Sequence, residues 1–122
     1  MNLGAGTTTS NLKNNYSSVK VKWDGELVDT NTIFFGSVIG EHVKTAIGTT
    51  LNTGTVIELG SNIVSPVFPQ RHIPAFSLFY RQKLIKIKFI DFLNTVKTAM
   101  KRRDRVLSSS DELDLNAIYK NY

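Results

Sequence analysis

Aliphatic side chains in the first half of the chain recur at intervals of six residues, whereas helices repeat about every 3.6 residues and strands about every two. A small or polar residue follows each of these positions four places later. A six-residue period is typical of a parallel β-helix, in which each hexad supplies one short strand and one turn. The recurring positions, one of which holds a threonine, are Leu27, Ile33, Ile39, Thr45, Leu51, Ile57 and Ile63.

The hexads predict the fold class. They begin mostly with Ile or Leu and carry Ser or Thr four places on, which favours the left-handed form of the β-helix. The stretch LGAGTT at residues 3–8 fits the same template. We therefore predict a mainly β protein, a left-handed parallel β-helix of hexapeptide repeats followed by C-terminal α-helices. The coils should occupy residues 1–65, with an inserted loop at about 11–26.

The inserted segment interrupts the period. NLKNNYSS is polar and rich in turn-forming residues, which predicts a loop that leaves a corner of the coil. VKVKW alternates between apolar and polar residues as an edge strand does. The dipeptide Asp24-Gly25 that follows it predicts a tight turn. Loops on a rigid scaffold often carry function, so this segment is a candidate for site residues.

The next segment is rich in proline. Because proline donates no backbone hydrogen bond, we expect residues 66–80 to form an irregular exit segment rather than a strand. Its apolar side chains are too numerous for a free linker and should pack along the coils or across a subunit boundary. The remaining residues, 81–122, should form a basic α-helical tail. The prolines are Pro66, Pro69 and Pro74.

Two helices are predicted in the tail. Apolar residues at helical spacing place the first at about 88–104. A second helix begins near Ser109, which forms a possible capping box with Glu112. The stretch KLIKIK before the first helix fits either a strand or a helix. The apolar face of the second helix comprises Leu115, Ile118, Tyr119 and Tyr122.

Charge is distributed unevenly along the chain. The formal net charge is +5, and nine Lys or Arg residues lie between positions 81 and 105 beside only Asp91 and Asp104. Such a segment suggests phosphate, nucleic acid or an acidic partner, and the alternative is a solvated helix face. Nucleic-acid modules usually interleave aromatic and basic residues, whereas the aromatic residues here fall on the apolar helical face. Nucleic acid is therefore not the expected partner.

Composition narrows the remaining function classes. The chain has no cysteine, which excludes disulfides and thiolate metal sites and fits a reducing compartment. No apolar run is long enough for a membrane span and no signal-peptide pattern is present, so we expect a cytoplasmic protein with no membrane partner.

The only histidines are His42 and His72. No acidic cluster accompanies them, so we expect no metal site. His42 falls at an outward position of the coil, where it either packs on the surface or lines a cleft between subunits. His72 follows Arg71, and that pair either contacts a phosphate or packs within the loop.

Three stretches together resemble one family. They are NLGAGTTTSNLKNNYSSVKV, GEHVKTAIGTTLNTGTVIELGSN and FPQRHIPAF, and the resemblance covers most of residues 2–78. The chain is similar to the C-terminal left-handed β-helix, a hexapeptide-repeat acyltransferase domain, of bifunctional sugar-1-phosphate nucleotidylyltransferase/acetyltransferases of the N-acetylglucosamine-1-phosphate uridylyltransferase type. The resemblance implies acetyl transfer from acetyl-CoA to the amine of a hexosamine 1-phosphate. It also implies a homotrimer that binds a sugar phosphate or nucleotide sugar in clefts between neighbouring subunits.

The resemblance also implies site residues. Asn11 matches the asparagine that contacts the sugar in the family. A lysine that assists catalysis in relatives aligns near Ser17, and Lys13 or Lys20 is its candidate substitute. The candidate CoA-binding positions are Ala46, Ile47 and Ser65.

The chain departs from the family at its N-terminal side. It begins at the GAGT corner, so the family's catalytic histidine and its nucleotidylyltransferase domain are missing, and no catalytic residue is assigned. We expect an acetyltransferase domain that is incomplete in this chain. The alternative is a catalytically inert trimerisation module of a sugar nucleotidyltransferase.

Overall fold

The computed structural model describes all 122 residues, which form twelve short strands and two helices. In chain order the elements are β1 (Asn2–Leu3), β2 (Thr8–Thr9), β3 (Lys20–Trp23), β4 (Glu26–Asp29), β5 (Val38–Ile39), β6 (Lys44–Thr45), β7 (Thr50–Leu51), β8 (Val56–Ile57), β9 (Asn62–Val64), β10 (His72–Ile73), β11 (Ser77–Tyr80), β12 (Lys83–Lys86), α1 (Phe89–Lys101) and α2 (Ser109–Lys120). No helix is both long and apolar enough to cross a membrane.

The short strands pair in parallel with their counterparts three hexads further along. Ile39 pairs with Ile57, and Thr45 pairs with Ile63, so each partner lies eighteen residues on. These pairs build three groups of strands in the orders β1-β6-β9-β11-β12, β10-β8-β5 and β2-β7. The coarse prediction of parallel sheets built from short strands and followed by helices is therefore confirmed. Parallel pairing at this step is compatible with a β-helix.

The six-residue period separates inward from outward side chains. Three residues of the predicted series, Leu51, Ile57 and Ile63, enter a common core. The other members of that core are Val43, Ile73 and Phe79, and Ile39 packs against it. Thr45 is also buried, and its hydroxyl lies 2.8 Å from that of Thr7. The small residues four places on are buried at the corners. Thr49 and Thr55 each donate a 2.7 Å hydrogen bond to the backbone carbonyl three residues earlier, which closes the turn.

The two earliest positions assigned to the hexads lie outside the coils, so that part of the prediction is wrong. Leu27 belongs to β4 and its side chain is 69% exposed, and Ile33 follows the same hairpin. β3 and β4 pair in antiparallel fashion across the predicted turn at Asp24 and Gly25. The insertion therefore extends past residue 26 as a hairpin. Its buried residues pack against Val56 of the coil.

The proline-rich segment also departs from its prediction, because residues 66–80 contain two strands, β10 and β11. β10 pairs with β8 in parallel, and β11 continues the turn by pairing with β9. The prolines do not prevent strand pairing, because the hydrogen bonds between these strands use donors on other residues. The amide of Val56 donates to the carbonyl of Arg71, and the carbonyl of Pro74 accepts from the hydroxyl of Ser61. The apolar residues of this segment pack as expected, with Ile73 and Phe76 fully buried.

Both predicted helices are present, with one correction at a helix start. The first four residues of the KLIKIK stretch before them form β12, antiparallel to β11. The capping box of α2 consists of Ser108 and Asp111, not Ser109 and Glu112. The amide of Asp111 donates to the hydroxyl of Ser108 over 3.0 Å. The boundary differs by one residue because three serines in a row offer equivalent capping side chains.

The helices cover the last turn of the coils through an aromatic cluster. The ring of Phe76 lies edge-on to those of Phe92 and Tyr119, with centroids 5.0 and 4.9 Å apart. His42 contributes to the same contact, with its ring 6.0 Å from that of Phe92. This position gives His42 a packing role between the coil and helix α1.

Candidate functional site

One cavity lies between the hairpin, the coils and the end of the chain. It has a volume of about 850 Å³. The hairpin contributes residues 22–25, the coils contribute Glu58 and His72, and the end of the chain contributes Tyr122. We call it the Glu58–His72 groove.

The side chains of Glu58 and His72 are hydrogen-bonded to each other in this groove. Oε1 of Glu58 lies 2.7 Å from Nε2 of His72, and Oε2 accepts a 3.2 Å hydrogen bond from the amide of Ala75. Strands β8 and β10 hold the pair in register, because they bond in parallel with His72 opposite Val56. When Nε2 donates to the carboxylate, Nδ1 of the neutral ring is the nitrogen that accepts a proton. The pair therefore provides an oriented base.

The electrostatics of the groove keep Glu58 ionised. Burial by itself raises the pKa of Glu58. Contacts with His72, the phenol of Tyr122 and the amide of Ala75 outweigh that effect and bring the pKa below its ordinary value. The same contact with Glu58, together with burial, raises the pKa of Tyr122. At neutral pH the groove therefore contains a carboxylate and a protonated phenol beside the imidazole.

A second cavity of about 450 Å³ lies at the base of the inserted loop. Its cationic side chains are Lys13 and Arg71. Nζ of Lys13 is held by the carbonyl of Ser18 at 3.0 Å, while the carboxamides of the loop and coil supply further donors. We call it the Lys13 groove. Its lining residues are Ser10, Leu12, Lys13, Asn14, Asn15, Asn52, Phe68 and Arg71.

The two grooves adjoin along the backbone. Arg71 lines the Lys13 groove and its neighbour His72 lines the Glu58–His72 groove. Lysine and arginine are the side chains that hold phosphate groups, and an oriented imidazole accepts protons. The Lys13 groove therefore suits an anionic group, and the Glu58–His72 groove suits a group that gives up a proton.

The structure separates the three residues that were assigned to the sugar. Lys13 lies in the Lys13 groove. Asn11 is exposed beside it, and its carbonyl accepts from the amide of Phe35 over 2.9 Å. Lys20 is exposed on β3, where it is paired in register with Asp29, and it lines neither groove.

The three positions assigned to CoA lie together at another corner of the coils. Ala46 and Ile47 follow β6, and Ser65 follows β9, its parallel partner. The amide of Ala46 donates to the carbonyl of Ile63 over 2.9 Å. Ile47 is 80% exposed. None of the three lines the Lys13 groove or the Glu58–His72 groove.

Sequence reasoning missed Glu58 and Tyr122 and did not connect them to His72. One indication was present in the sequence. If Ile73 is aligned with the inward residue Ile57, then His72 is aligned with Val56. This alignment places His72 on the outward side of the turn, close to Glu58. The prolines hid this alignment because they argued against any strand there.

Comparison of the chain with protein-family models finds no match, and a search of curated proteins finds none either. No group of three or more His, Cys, Asp or Glu side chains is placed to hold a metal ion.

Proposed function

We propose that the coils form a left-handed parallel β-helix and that the chain is an acyltransferase-type domain of a sugar-nucleotide enzyme. The eighteen-residue pairing step and the small buried residues at the corners support this fold. The resemblance of residues 2–78 to sugar-1-phosphate nucleotidylyltransferase/acetyltransferases supports the class. The reaction would be acetyl transfer from acetyl-CoA to the amine of a hexosamine 1-phosphate, in the cytoplasm.

The observation that carries the activity is the adjacency of the two grooves at Arg71 and His72. In the proposed reaction the sugar phosphate binds Lys13 and Arg71, and the amine faces His72. The amine nitrogen forms a bond to the acetyl carbon while Nδ1 of His72 takes up the amine proton. The carbon–sulfur bond then breaks, and the departing thiolate receives that proton from His72.

The proposal requires an assembly of subunits. The donor positions Ile47 and Ser65 follow strands of the β1-β6-β9 sheet, whereas His72 lies on the β10-β8-β5 sheet. In a homotrimer, the donor corner of one chain would face the acceptor grooves of its neighbour. Acetyl-CoA would then lie in the cleft between them.

The test is calorimetric titration of the purified chain with acetyl-CoA, with free CoA as the comparison. We expect saturable binding that weakens at least tenfold in Ser65→Trp, because an indole would occupy the donor corner. The matched control is Val106→Trp, which adds the same bulk at a side chain that is 90% exposed between the helices. Absence of binding at millimolar ligand in a folded trimer would refute the acyltransferase assignment.

The alternative function, an inert trimerisation module, needs an apolar subunit contact. Its candidate residues are Leu3, Ile47 and Val64, which are 42%, 80% and 42% exposed on or beside the adjacent strands β1, β6 and β9. Sedimentation equilibrium of wild type and Ile47→Asp tests this contact. A trimer that dissociates in Ile47→Asp but binds no acetyl-CoA would support the module. A monomeric wild type would contradict both functions.

A further inference from the structure

A third cavity lies between the coils and helix α1, away from both grooves described above. It has a volume of about 370 Å³. Strand β6 contributes one cation, Lys44, and the end of α1 contributes another, Arg102. We call it the Lys44–Arg102 groove. The helix supplies the rest of the lining, which consists of Asn94, Thr95, Thr98 and Ala99.

Lys44 is partly buried without a carboxylate partner. Its ammonium group donates only to the carbonyl of His42, over 3.4 Å, and burial lowers the pKa of Lys44. Lys97 is the one Lys or Arg side chain that forms an ion pair, with Glu112, so neither Lys44 nor Arg102 is neutralised by a carboxylate. Burying an unpaired cation is unfavourable, and a bound anion would offset that cost.

The donors of the groove converge from two elements. Asn94, Thr98 and the C-cap residue Arg102 follow one another at four-residue steps and therefore share one face of α1. The hydroxyl of Thr98 donates to the carbonyl of Asn94. The donors left for a ligand are thus the Lys44 ammonium, the Arg102 guanidinium and the Asn94 amide. Two cations and an amide with no acidic side chain in the lining suit a phosphate group.

The groove adjoins the donor corner through strand β6. Lys44 begins that strand, and Ala46 and Ile47 follow it directly. We propose that the Lys44–Arg102 groove binds the phosphate groups of a nucleotide ligand. The identity of the nucleotide rests on the proposed function: we infer that it is the CoA portion of the acyl donor, with its acyl arm at the corner of Ala46 and Ser65. This site gives a role to part of the basic segment between residues 81 and 105.

The experiment titrates the chain with adenosine 3′,5′-bisphosphate, which carries nucleotide phosphates but neither the pantetheine arm nor an acyl group. We expect saturable binding that weakens about tenfold in Lys44→Gln and in Arg102→Gln, since a charge-assisted hydrogen bond contributes on that scale. The control is Lys101→Gln, which removes the same charge from the neighbouring helix position outside the groove. A circular-dichroism melt of each variant checks that it folds.

The outcomes separate this inference from the proposed function. No binding of the bisphosphate, or an equal loss in Lys101→Gln, overturns the site, because the effect would then reflect diffuse charge. Acetyl-CoA binding that responds to Ser65→Trp but not to Lys44→Gln or Arg102→Gln overturns the site and leaves the acyltransferase proposal standing. Bisphosphate binding that responds to Lys44→Gln and Arg102→Gln, in a chain that ignores acetyl-CoA, supports a phosphate site and removes the donor assignment. Tighter binding of a single-stranded oligonucleotide than of the bisphosphate also overturns it.

Discussion

The carboxylate of Glu58 and the imidazole of His72 lie 2.7 Å apart although fourteen residues separate them in the chain. Two neighbouring coil strands create this contact, because β8 and β10 pair with Ile57 opposite Ile73. The step between those partners is sixteen residues, two fewer than between Ile39 and Ile57. The shortened turn thus brings a histidine from the proline-rich segment beside a glutamate of the regular coils.

The first prediction concerns acid stability. Because the folded pKa of Glu58 lies below its ordinary value of 4.5, the unfolded chain binds more protons near that pH than the folded chain does. The resulting stabilisation is present above pH 4.5 and is lost as the pH falls through the folded pKa. We expect the free energy of unfolding of the wild type to fall more steeply below pH 4.5 than that of Glu58→Gln.

Urea unfolding followed by circular dichroism between pH 3 and 7 measures this difference. Glu26→Gln is the matched control, because Glu26 is exposed on β4 and outside the groove. Parallel pH profiles for wild type and Glu58→Gln would contradict the prediction.

The second prediction concerns the contact between the hairpin and the coil at Gly54. A Cβ there would lie 2.9 Å from the carbonyl oxygen of Lys20 and from Cγ1 of Val19, and Gly54 also has a φ of +73°. Gly48 has a φ of +68°, but a Cβ on it would meet open space. We expect Gly48→Ala to lower the free energy of unfolding by about 1 kcal/mol from backbone strain. Gly54→Ala should cost a further 1–3 kcal/mol or so from overpacking.

Denaturant unfolding of both variants separates the two effects. Equal losses in Gly48→Ala and Gly54→Ala would show that the hairpin does not press on the coil at this point.

The third prediction tests which serine caps α2. Ser108→Ala should lower the free energy of unfolding by about 1 kcal/mol, because its hydroxyl accepts from the amide of Asp111. Ser109→Ala, one residue further on, should change it by less than about 0.5 kcal/mol. Chemical denaturation gives the free energies, and amide hydrogen exchange in α2 locates the effect. A larger loss in Ser109→Ala would restore the boundary expected from the sequence.

The fourth prediction concerns the hexad core. Ile63 is fully buried among the inward residues, whereas Ile90 on α1 is 58% exposed. Ile63→Ala should lower the free energy of unfolding by about 2–5 kcal/mol through lost burial and a residual cavity. The same truncation at Ile90 should cost less than about 0.5 kcal/mol. Thermal and urea unfolding compare the pair, and a small effect at Ile63 would contradict a tightly packed core.

Much of the fold could be predicted because it depends on residues close together in sequence. The six-residue spacing from Ile39 to Ile63, the turn at Asp24 and Gly25, and the apolar face of α1 each depend on a periodicity or a dipeptide. The same local reasoning failed at Leu27. This residue fits the six-residue period only by coincidence, because it belongs to the β3–β4 hairpin. It also failed by one residue at Ser108, where adjacent serines are locally equivalent.

The candidate site was less accessible to sequence reasoning. Lys13 was a candidate substrate-binding residue from the sequence, but Arg71, the second cation of the Lys13 groove, comes from a different turn of the chain. The position of Lys44 beside Arg102 likewise depends on how α1 packs over the sheet. The two residues of each pair belong to different structural elements that are far apart in the chain.

The sequence by itself determined the repeat, the helices and the excess of positive charge, because these follow from the identity and spacing of neighbouring side chains. Only the tertiary structure decided which charged residues meet. Its parallel register sets how many residues lie between two stacked positions, and the proline-rich turn changes that number from eighteen to sixteen. The contact of Glu58 with His72 exists because the backbone ladder of β8 and β10 fixes this register.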